Sequence, residues 1–187
     1  NTFEEKNVSG PVDNYLLSPD GKRIAFVMKG DVFLVDSKDG GLSYRITDTP
    51  ARENQLAWSP DSTRLVYSSL RNGNMDLFEF SLKNREEKQV AGSELDESSP
   101  LFSPDGKIFA YIRNENELVL VDEENKTSRV LLTSNFHRTN LYEGTRFTFS
   151  PDSRFLAVSC YEEIGINTIH VVEIETGKDT QVTDFSV

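Results

Sequence analysis

The sequence predicts an all-β protein, a β-propeller of about four blades that each contain four antiparallel strands. Two observations support this prediction. A Ser-Pro-Asp motif recurs four times, and each copy is followed by the same succession of apolar segments and polar turns. The motif serines are Ser18, Ser59, Ser103 and Ser150, which stand 41, 44 and 47 residues apart. A repeat of this length with four short strands in each copy is typical of propeller blades.

The first two strands of each blade flank the motif. The four copies read LLSPDGKRIAFV, AWSPDSTRLVYS, LFSPDGKIFAYI and TFSPDSRFLAVS. Proline presets φ for the second position of a tight turn, and the aspartate side chain bonds to nearby backbone. The motif is therefore predicted to join two strands of a hairpin. Because Ser62 and Ser153 replace glycine in two copies, we expect that a positive φ is not required at this position.

Side-chain size alternates along the second strand of each blade. Large residues stand six and eight positions after each motif serine, and a small residue stands between them: Ala25, Val66, Ala110 and Ala157. Successive strand residues point to opposite faces, so one face carries bulky groups and the other permits close approach of a neighbour. A large residue also precedes each of the four serines (Leu17, Trp58, Phe102 and Phe149), and we expect Trp58, Phe102 and Phe149 to be buried equivalents.

Two further strands complete each blade. The third strands read DVFLVD, DLFEFS, ELVLVD and TIHVVEI, and the fourth read YRIT, KQVA, RVLL and TQVT. The predicted blades span 12–49, 50–91, 92–133 and 134–184 of one partial propeller domain. No spare strand for closing a ring is evident, so we favour an open fragment of a larger ring over a closed four-bladed one. Exposed blade faces would then permit self-association.

Composition excludes several classes of partner. The formal net charge is −11, which argues against nucleic acid because phosphates require basic patches. No apolar run is long enough to span a membrane, so membrane insertion is not expected. Cys160 is the only cysteine, which leaves no intrachain disulfide, and we interpret it as a buried strand residue. A periplasmic location is slightly favoured over a cytoplasmic one.

No catalytic pattern emerges from the sequence. There is no Gly-x-Ser-x-Gly elbow, and His137 and His170 lie in different contexts without zinc-ligand spacing. The SKDGG and SPDG segments lack the alternating oxygen ligands of a calcium loop. We therefore expect no catalytic residue, no cofactor and no metal in this chain.

The irregular loops are the remaining candidate for function. Strand direction alternates, so the loops between second and third strands share one end of the blades with the inter-blade connectors. Loops held by a rigid scaffold commonly carry function. Their basic and aromatic residues form a predicted peptide-binding rim, suited to peptide backbone and carboxylates; the alternative is an ordinary polar loop surface. The predicted rim comprises Lys29, Arg52, Arg71, Arg113, His137, Arg138 and Tyr161.

The stretch VDNYLLSPDGKRIAFVMKGDVFLVDSKDG, followed by RITDTPARENQLAWSPDSTRLVYSS, resembles the propeller repeats of tricorn-type serine peptidases and, more generally, the TolB-type propeller. The resemblance covers roughly Val12 to Thr183. It implies part of a seven-bladed propeller in a multidomain peptidase, where the propeller guides or gates peptide substrates. The implied partners are peptides, the remaining blades and a separate catalytic domain. None of the family's catalytic residues has a counterpart in this chain.

Two other functions stay open. The chain could be a TolB-like protein-interaction scaffold without enzyme activity, whose partner is another protein. Alternatively, it could be the propeller of a prolyl-oligopeptidase-type enzyme, since the Ser-Pro-Asp-Gly repeat occurs there too. A Gly-x-Ser-x-Gly elbow downstream would identify that second family.

Overall fold

The computed structural model describes residues 5–6, 10–38, 43–136, 146–161 and 167–183. Within these ranges every regular element is a β-strand, and the strands form four antiparallel sheets, one of five strands and three of four. The predicted all-β propeller fold class is therefore confirmed. No helix in the described part of the chain is long and apolar enough to cross a membrane.

The strands follow one another in sheet order. Sheet 1 comprises β2 (Asn14–Leu17), β3 (Arg23–Met28), β4 (Asp31–Asp36) and β5 (Ser43–Arg45). Sheet 2 comprises β6 (Glu53–Trp58), β7 (Arg64–Ser69), β8 (Asp76–Ser81) and β9 (Glu86–Ala91). Sheet 3 comprises β10 (Glu97–Phe102), β11 (Ile108–Arg113), β12 (Glu117–Asp122) and β13 (Ser128–Thr133). Sheet 4 comprises β14 (Phe147–Phe149), β15 (Phe155–Tyr161), β16 (Asn167–Glu173) and β17 (Asp179–Gln181).

Sheet 1 carries a short additional strand that the sequence pattern did not reveal. This strand, β1 (Glu5–Lys6), pairs antiparallel with β5, with Glu5 opposite Tyr44. Two residues are too few to show a period-two pattern, so the sequence does not indicate this strand. The strand extends the outer edge of its own sheet.

The chain divides into two compact units, Asn1–Pro100 (unit 1) and Leu101–Val187 (unit 2). In unit 1 the small-residue face of sheet 1 packs against the bulky face of sheet 2. Ala25 and Val27 are completely buried there, in one cluster with Trp58, Leu65 and Tyr67. The alternation of large and small residues thus places a small face where the next sheet must approach closely.

Unit 2 repeats the same packing. Ala110 and Ile112, from the small face of sheet 3, are completely buried in a cluster with Phe149, Leu156 and Val158 of sheet 4. The predicted burial of Trp58, Phe102 and Phe149 is confirmed. Cys160 is also buried, as expected for a strand residue.

The bulky face of sheet 1 differs from its counterparts. Leu17 occupies the position of Trp58, Phe102 and Phe149, yet it is 54% exposed, and Tyr15 beside it is 73% exposed. The difference has a simple cause, because none of the described strands of unit 1 packs over this face of sheet 1. Large apolar side chains that stand open to solvent in one repeat and are buried in the others mark a surface suited to another sheet.

The Ser-Pro-Asp turns are held by a compact set of hydrogen bonds. In the first turn the hydroxyl of Ser18 donates to Oδ1 of Asp20 (2.6 Å) and accepts from the backbone NH of Arg23 (2.9 Å). The NH of Gly21 donates to the carbonyl of Ser18 (2.8 Å). The serine therefore closes the turn on both sides, and the other three copies repeat its two side-chain contacts.

The expectation about φ at the fourth motif position is wrong. Ser62 and Ser153 both have φ of +60°, close to the +70° of Gly21 and the +72° of Gly106. The backbone therefore adopts the left-handed region in all four copies, with or without glycine. Each serine has a compensating contact, because its hydroxyl accepts the backbone NH of the preceding turn's aspartate. The distances are 3.0 Å from Asp20 N to Ser62 Oγ and 3.1 Å from Asp105 N to Ser153 Oγ.

Candidate functional site

In unit 1 the loops that carry three predicted rim residues meet at one end of the sheets. The β3–β4 turn, which contains Lys29, reaches the residues before β6, since the NH of Glu53 donates to the carbonyl of Gly30 (2.8 Å). The carbonyl of Arg52 in turn accepts the NH of Leu70 from the β7–β8 loop (3.3 Å). Lys29, Arg52 and Arg71 therefore stand on adjoining loops.

Arg71 is engaged within the protein. Its guanidinium carbon lies 4.0 Å from the centroid of the Phe78 ring, and its nitrogens lie 2.5 Å from a Glu87 oxygen and 3.5 Å from a Glu53 oxygen. Tyr67 also hydrogen-bonds Glu87. Burial, together with the nearby charge of Glu53, raises the pKa of Glu87. This guanidinium holds the β7–β8 loop to two carboxylates, so it is poorly placed to bind an external anion.

Lys29 and Arg52 are different. Both are exposed, and neither forms an ion pair with any residue in the described ranges. The turn at Lys29 requires an unusual backbone, with φ of +54° at Lys29 and +86° at Gly30. A β-carbon at Gly30 would lie 3.5 Å from Cα of Arg52, which shows how closely the two loops approach.

Unit 2 places two further predicted rim residues near one connector. The NH of Phe136 donates to the carbonyl of Glu115 in the β11–β12 turn (2.8 Å), and the NH of Tyr161 donates to the carbonyl of Asn135 (2.8 Å). Arg113 begins this turn and pairs with Glu117 at 2.7 Å. His137 and Arg138 lie outside the described residues.

The sequence analysis does not identify two buried acidic sites at the same loop end. In the first, Glu53 is completely buried and accepts hydroxyl hydrogen bonds from Thr47 (3.0 Å), Thr49 (2.7 Å) and Ser69 (2.9 Å). In the second, Asp76 and Glu97 are both buried. A sequence signal for them exists: a glutamate stands six residues before the motif serine at Glu53 and again at Glu97.

In sheet 4 a hydroxyl, a histidine and a carboxylate are hydrogen-bonded in the sequence found in a catalytic triad. Nδ1 of His170 lies 3.0 Å from both carboxylate oxygens of Asp179, and its Nε2 lies 3.1 Å from the hydroxyl of Thr168. The Thr168 side chain is only 4% exposed, so a substrate has no access to its hydroxyl. The contacts tie β17 to β16 and give no support to catalysis.

A groove of about 300 Å³ opens at the motif end of unit 1. Its floor is apolar, with Leu34, Ile46 and Phe80, and Arg23 and Arg85 stand at its edges. Among the described residues no group of three or more His, Cys, Asp or Glu is arranged to hold a metal ion. The exposed side chains of Lys29 and Arg52 and this groove are therefore candidate ligand-binding features on the described surface of unit 1.

Comparison with known proteins decides the family. The model of the TolB beta propeller domain (PD40) matches residues 6–140. The chain belongs to this TolB β-propeller family. The part of the predicted resemblance that concerns the TolB-type propeller is thus confirmed.

Relatives of this TolB-propeller chain include peptidases. It is 28% identical over 123 residues to the uncharacterized peptidase YuxL of Bacillus subtilis (strain 168), which covers 60% of this chain and 19% of the relative. Among solved structures, TolB from Acinetobacter baumannii is 22% identical with a TM-score of 0.70, over 95% of this chain and 44% of TolB. The tricorn protease is 20% identical with a TM-score of 0.68, over 95% of this chain and 18% of the protease. The chain therefore spans less than half the length of each of these proteins.

Proposed function

We propose that this chain is a non-catalytic propeller segment of a larger, tricorn-like serine peptidase, and that its loop end guides or gates peptide substrates. Membership of the TolB propeller family and the likeness to two peptidases support this proposal. The low coverage of both peptidases fits a chain that supplies one module of a larger enzyme. The one triad-like arrangement described above, Thr168–His170–Asp179, ends on a hydroxyl that is buried.

The observation that carries the proposal is the pair of exposed cations on adjoining loops. Lys29 and Arg52 stand without ion pairs among the described residues, whereas Arg71 and Arg113 are each held by a carboxylate. On a chain with net charge −11, two such cations create a local site for an anion. A peptide's terminal carboxylate, or an acidic side chain, is the ligand that ammonium and guanidinium groups recognise through charge-assisted hydrogen bonds.

Peptide titration tests this proposal. Acetylated tripeptides with a free terminal carboxylate, and the same tripeptides as amides, are titrated into the chain by calorimetry. We expect the carboxylate form to bind more tightly, and Lys29→Ser combined with Arg52→Ser to weaken its binding by about tenfold or more. Lys22→Ser, an exposed cation at the motif end, is the matched control and should leave binding unchanged. Equal affinity in the double variant would contradict a role for this surface.

A TolB-like interaction scaffold is the second candidate, favoured by the match to A. baumannii TolB. The coding sequence downstream of Val187 separates the alternatives. A serine peptidase core there supports the leading proposal, and a Gly-x-Ser-x-Gly elbow indicates the prolyl-oligopeptidase type. A parent protein without any peptidase core favours the scaffold.

A further inference from the structure

Asp76 and Glu97 form a buried carboxylate pair in unit 1. Asp76 begins β8, Glu97 begins β10, and each is 1% exposed. No Lys, Arg or His in the described part of the chain forms an ion pair with either group. Two buried carboxylates without a cation beside them are costly, so the site favours either a bound cation or a proton held by the pair.

Among the described residues, the other groups that donate hydrogen bonds to the pair are neutral, and the two carboxyl groups lie within hydrogen-bonding reach of each other. The side-chain amides of Asn72 and Asn74 donate to Asp76, at 2.6 and 3.2 Å, and the hydroxyl of Ser93 donates to Oε1 of Glu97 at 2.7 Å. Oε2 of Glu97 is buried and accepts no hydrogen bond from any donor group in the described part of the chain. Burial, reinforced by the adjacent Asp76 carboxylate and opposed by Ser93, raises the pKa of Glu97.

The preceding repeat contains the equivalent pair with its charges balanced. There Asp31 begins β4 and Glu53 begins β6. Arg45 lies 2.6 Å from Asp31, and Arg71 lies 3.5 Å from Glu53. The same two carboxylate positions therefore have two arginines in one repeat and none in the next. Asp76 and Glu97 therefore lack, among the described residues, the two positive charges that balance the equivalent carboxylates.

The loop before Asp76 presents side-chain oxygens at alternate positions. Asn72, Asn74 and Asp76 follow the spacing of Asp-x-Asn-x-Asp calcium loops, and φ of +101° at Gly73 turns the loop so that both asparagines reach Asp76. Rotating an asparagine amide by 180° exchanges its nitrogen for its oxygen, so each can act as a ligand.

Further oxygens converge on the same place. Nδ2 of Asn74 lies 3.1 Å from the carbonyl oxygen of Ser93, 2.7 Å from that of Leu95 and 3.2 Å from Oδ1 of Asp76. Two backbone carbonyls and a carboxylate therefore surround one point beside the pair. Such oxygen-only donors suit calcium better than zinc, whose protein sites usually include nitrogen or sulfur ligands.

We propose that Asp76 and Glu97, together with Asn72, Asn74 and the carbonyls of Ser93 and Leu95, form a calcium-binding site. A Ca²⁺ ion balances both carboxylate charges, whereas one shared proton balances only one. The six residues supply enough oxygens for the six to eight ligands that calcium takes. The ion would tie the β7–β8 loop to the connector before β10.

Thermal unfolding after treatment with EDTA, with and without CaCl₂, tests this site. We expect Ca²⁺ at a hundredfold excess over its Kd to raise the Tm by roughly 5–10 °C. Asp76→Asn should abolish that shift, and Asp31→Asn, which removes the equivalent carboxylate paired with Arg45, should preserve it.

A second variant and a second measurement distinguish loss of Ca²⁺ binding from misfolding of the variant. Asn74→Ala keeps both carboxylates, and we expect it to weaken Ca²⁺ binding by about tenfold or more in calorimetry. Absence of a Tm shift and of binding heat with CaCl₂ in the unmodified chain would overturn the proposal. A Tm that rises on acidification from pH 7 to 5 and ignores Ca²⁺ would overturn it too, because the pair then holds a proton.

Discussion

At the scale of single residues, the fourth motif position shows how one contact compensates a strained backbone. Ser62 and Ser153 accept the left-handed conformation that Gly21 and Gly106 adopt without a Cβ penalty. Their hydroxyls satisfy a backbone NH in the preceding turn, which glycine cannot do. Glycine and serine alternate along the four copies, so each serine turn follows a glycine turn within the same unit.

Substitutions of Ser62 separate the two effects. Ser62→Ala keeps the strained φ and leaves the NH of Asp20 without its partner, so we expect a loss of about 1–2 kcal/mol in the free energy of unfolding. Ser62→Gly loses the same hydrogen bond but relieves the strain, so its loss should be smaller by about 0.5–1 kcal/mol. Urea unfolding measures both. An alanine variant as stable as the original would show that this hydrogen bond contributes nothing.

At the scale of elements, each Ser-Pro-Asp turn directs a serine hydroxyl hydrogen bond at the carboxylate of its own aspartate. The serine hydrogen bond is the main cause that lowers the pKa of Asp20, Asp105 and Asp152 below the ordinary value of 3.8. The turns therefore favour the ionised aspartate. The pKa values of Glu87, which is partly exposed, and of Glu97, which is buried, shift in the opposite direction, because loss of solvent around the carboxyl group favours its neutral form.

The lowered pKa of the motif aspartates predicts how the free energy of unfolding changes with pH. A folded-state pKa below the unfolded value of 3.8 means that the stabilisation is complete above pH 3.8 and is lost as pH falls through the folded-state pKa. Asp105→Asn should therefore destabilise the chain at pH 6 and make little difference in strong acid. Urea unfolding of both proteins between pH 2 and 6 measures this gap. A gap that stays constant over this range would refute the aspartate's ionisation as the cause.

At the scale of the whole molecule, the bulky face of sheet 1 has large apolar side chains that are exposed to solvent. In unit 1 the small face of sheet 1 packs against the bulky face of sheet 2, with Ala25 and Trp58 in one cluster. In unit 2 the small face of sheet 3 packs in the same way against sheet 4, with Ala110 and Phe149 in one cluster. Tyr15 and Leu17 belong to the bulky face of sheet 1 and stand exposed. A further sheet with a small-residue face is the partner that this surface fits.

Self-association tests this face in the isolated chain. We expect concentration-dependent association in sedimentation velocity, because a second copy can offer a small-residue sheet face to Tyr15 and Leu17. Tyr15→Ser combined with Leu17→Ser should weaken association by about tenfold or more. Tyr44→Ser, an exposed position on β5, is the control. Association that is unaffected by the double variant would place the contact elsewhere.

The sequence by itself determined the repeat, the hairpin turns and the alternation of face sizes, because each depends on residues close together in the chain. Ser-Pro-Asp specifies a turn locally, and Ala25 between two large residues shows which face a neighbour can approach. These local patterns were sufficient to predict the fold class and the burial of Trp58.

Only the tertiary structure decided which charged side chains remain available. Arg71 and Arg52 look alike in sequence, but Arg71 meets Glu87 from a strand sixteen residues away and Phe78 from another. The hydroxyl of Ser62 likewise accepts a hydrogen bond from a backbone NH forty-two residues earlier in the chain. The carboxyl groups of Asp76, at the start of β8, and Glu97, at the start of β10, also come close together. Such contacts depend on how sheets pack, and the free energy of a buried charge depends on every group packed around it.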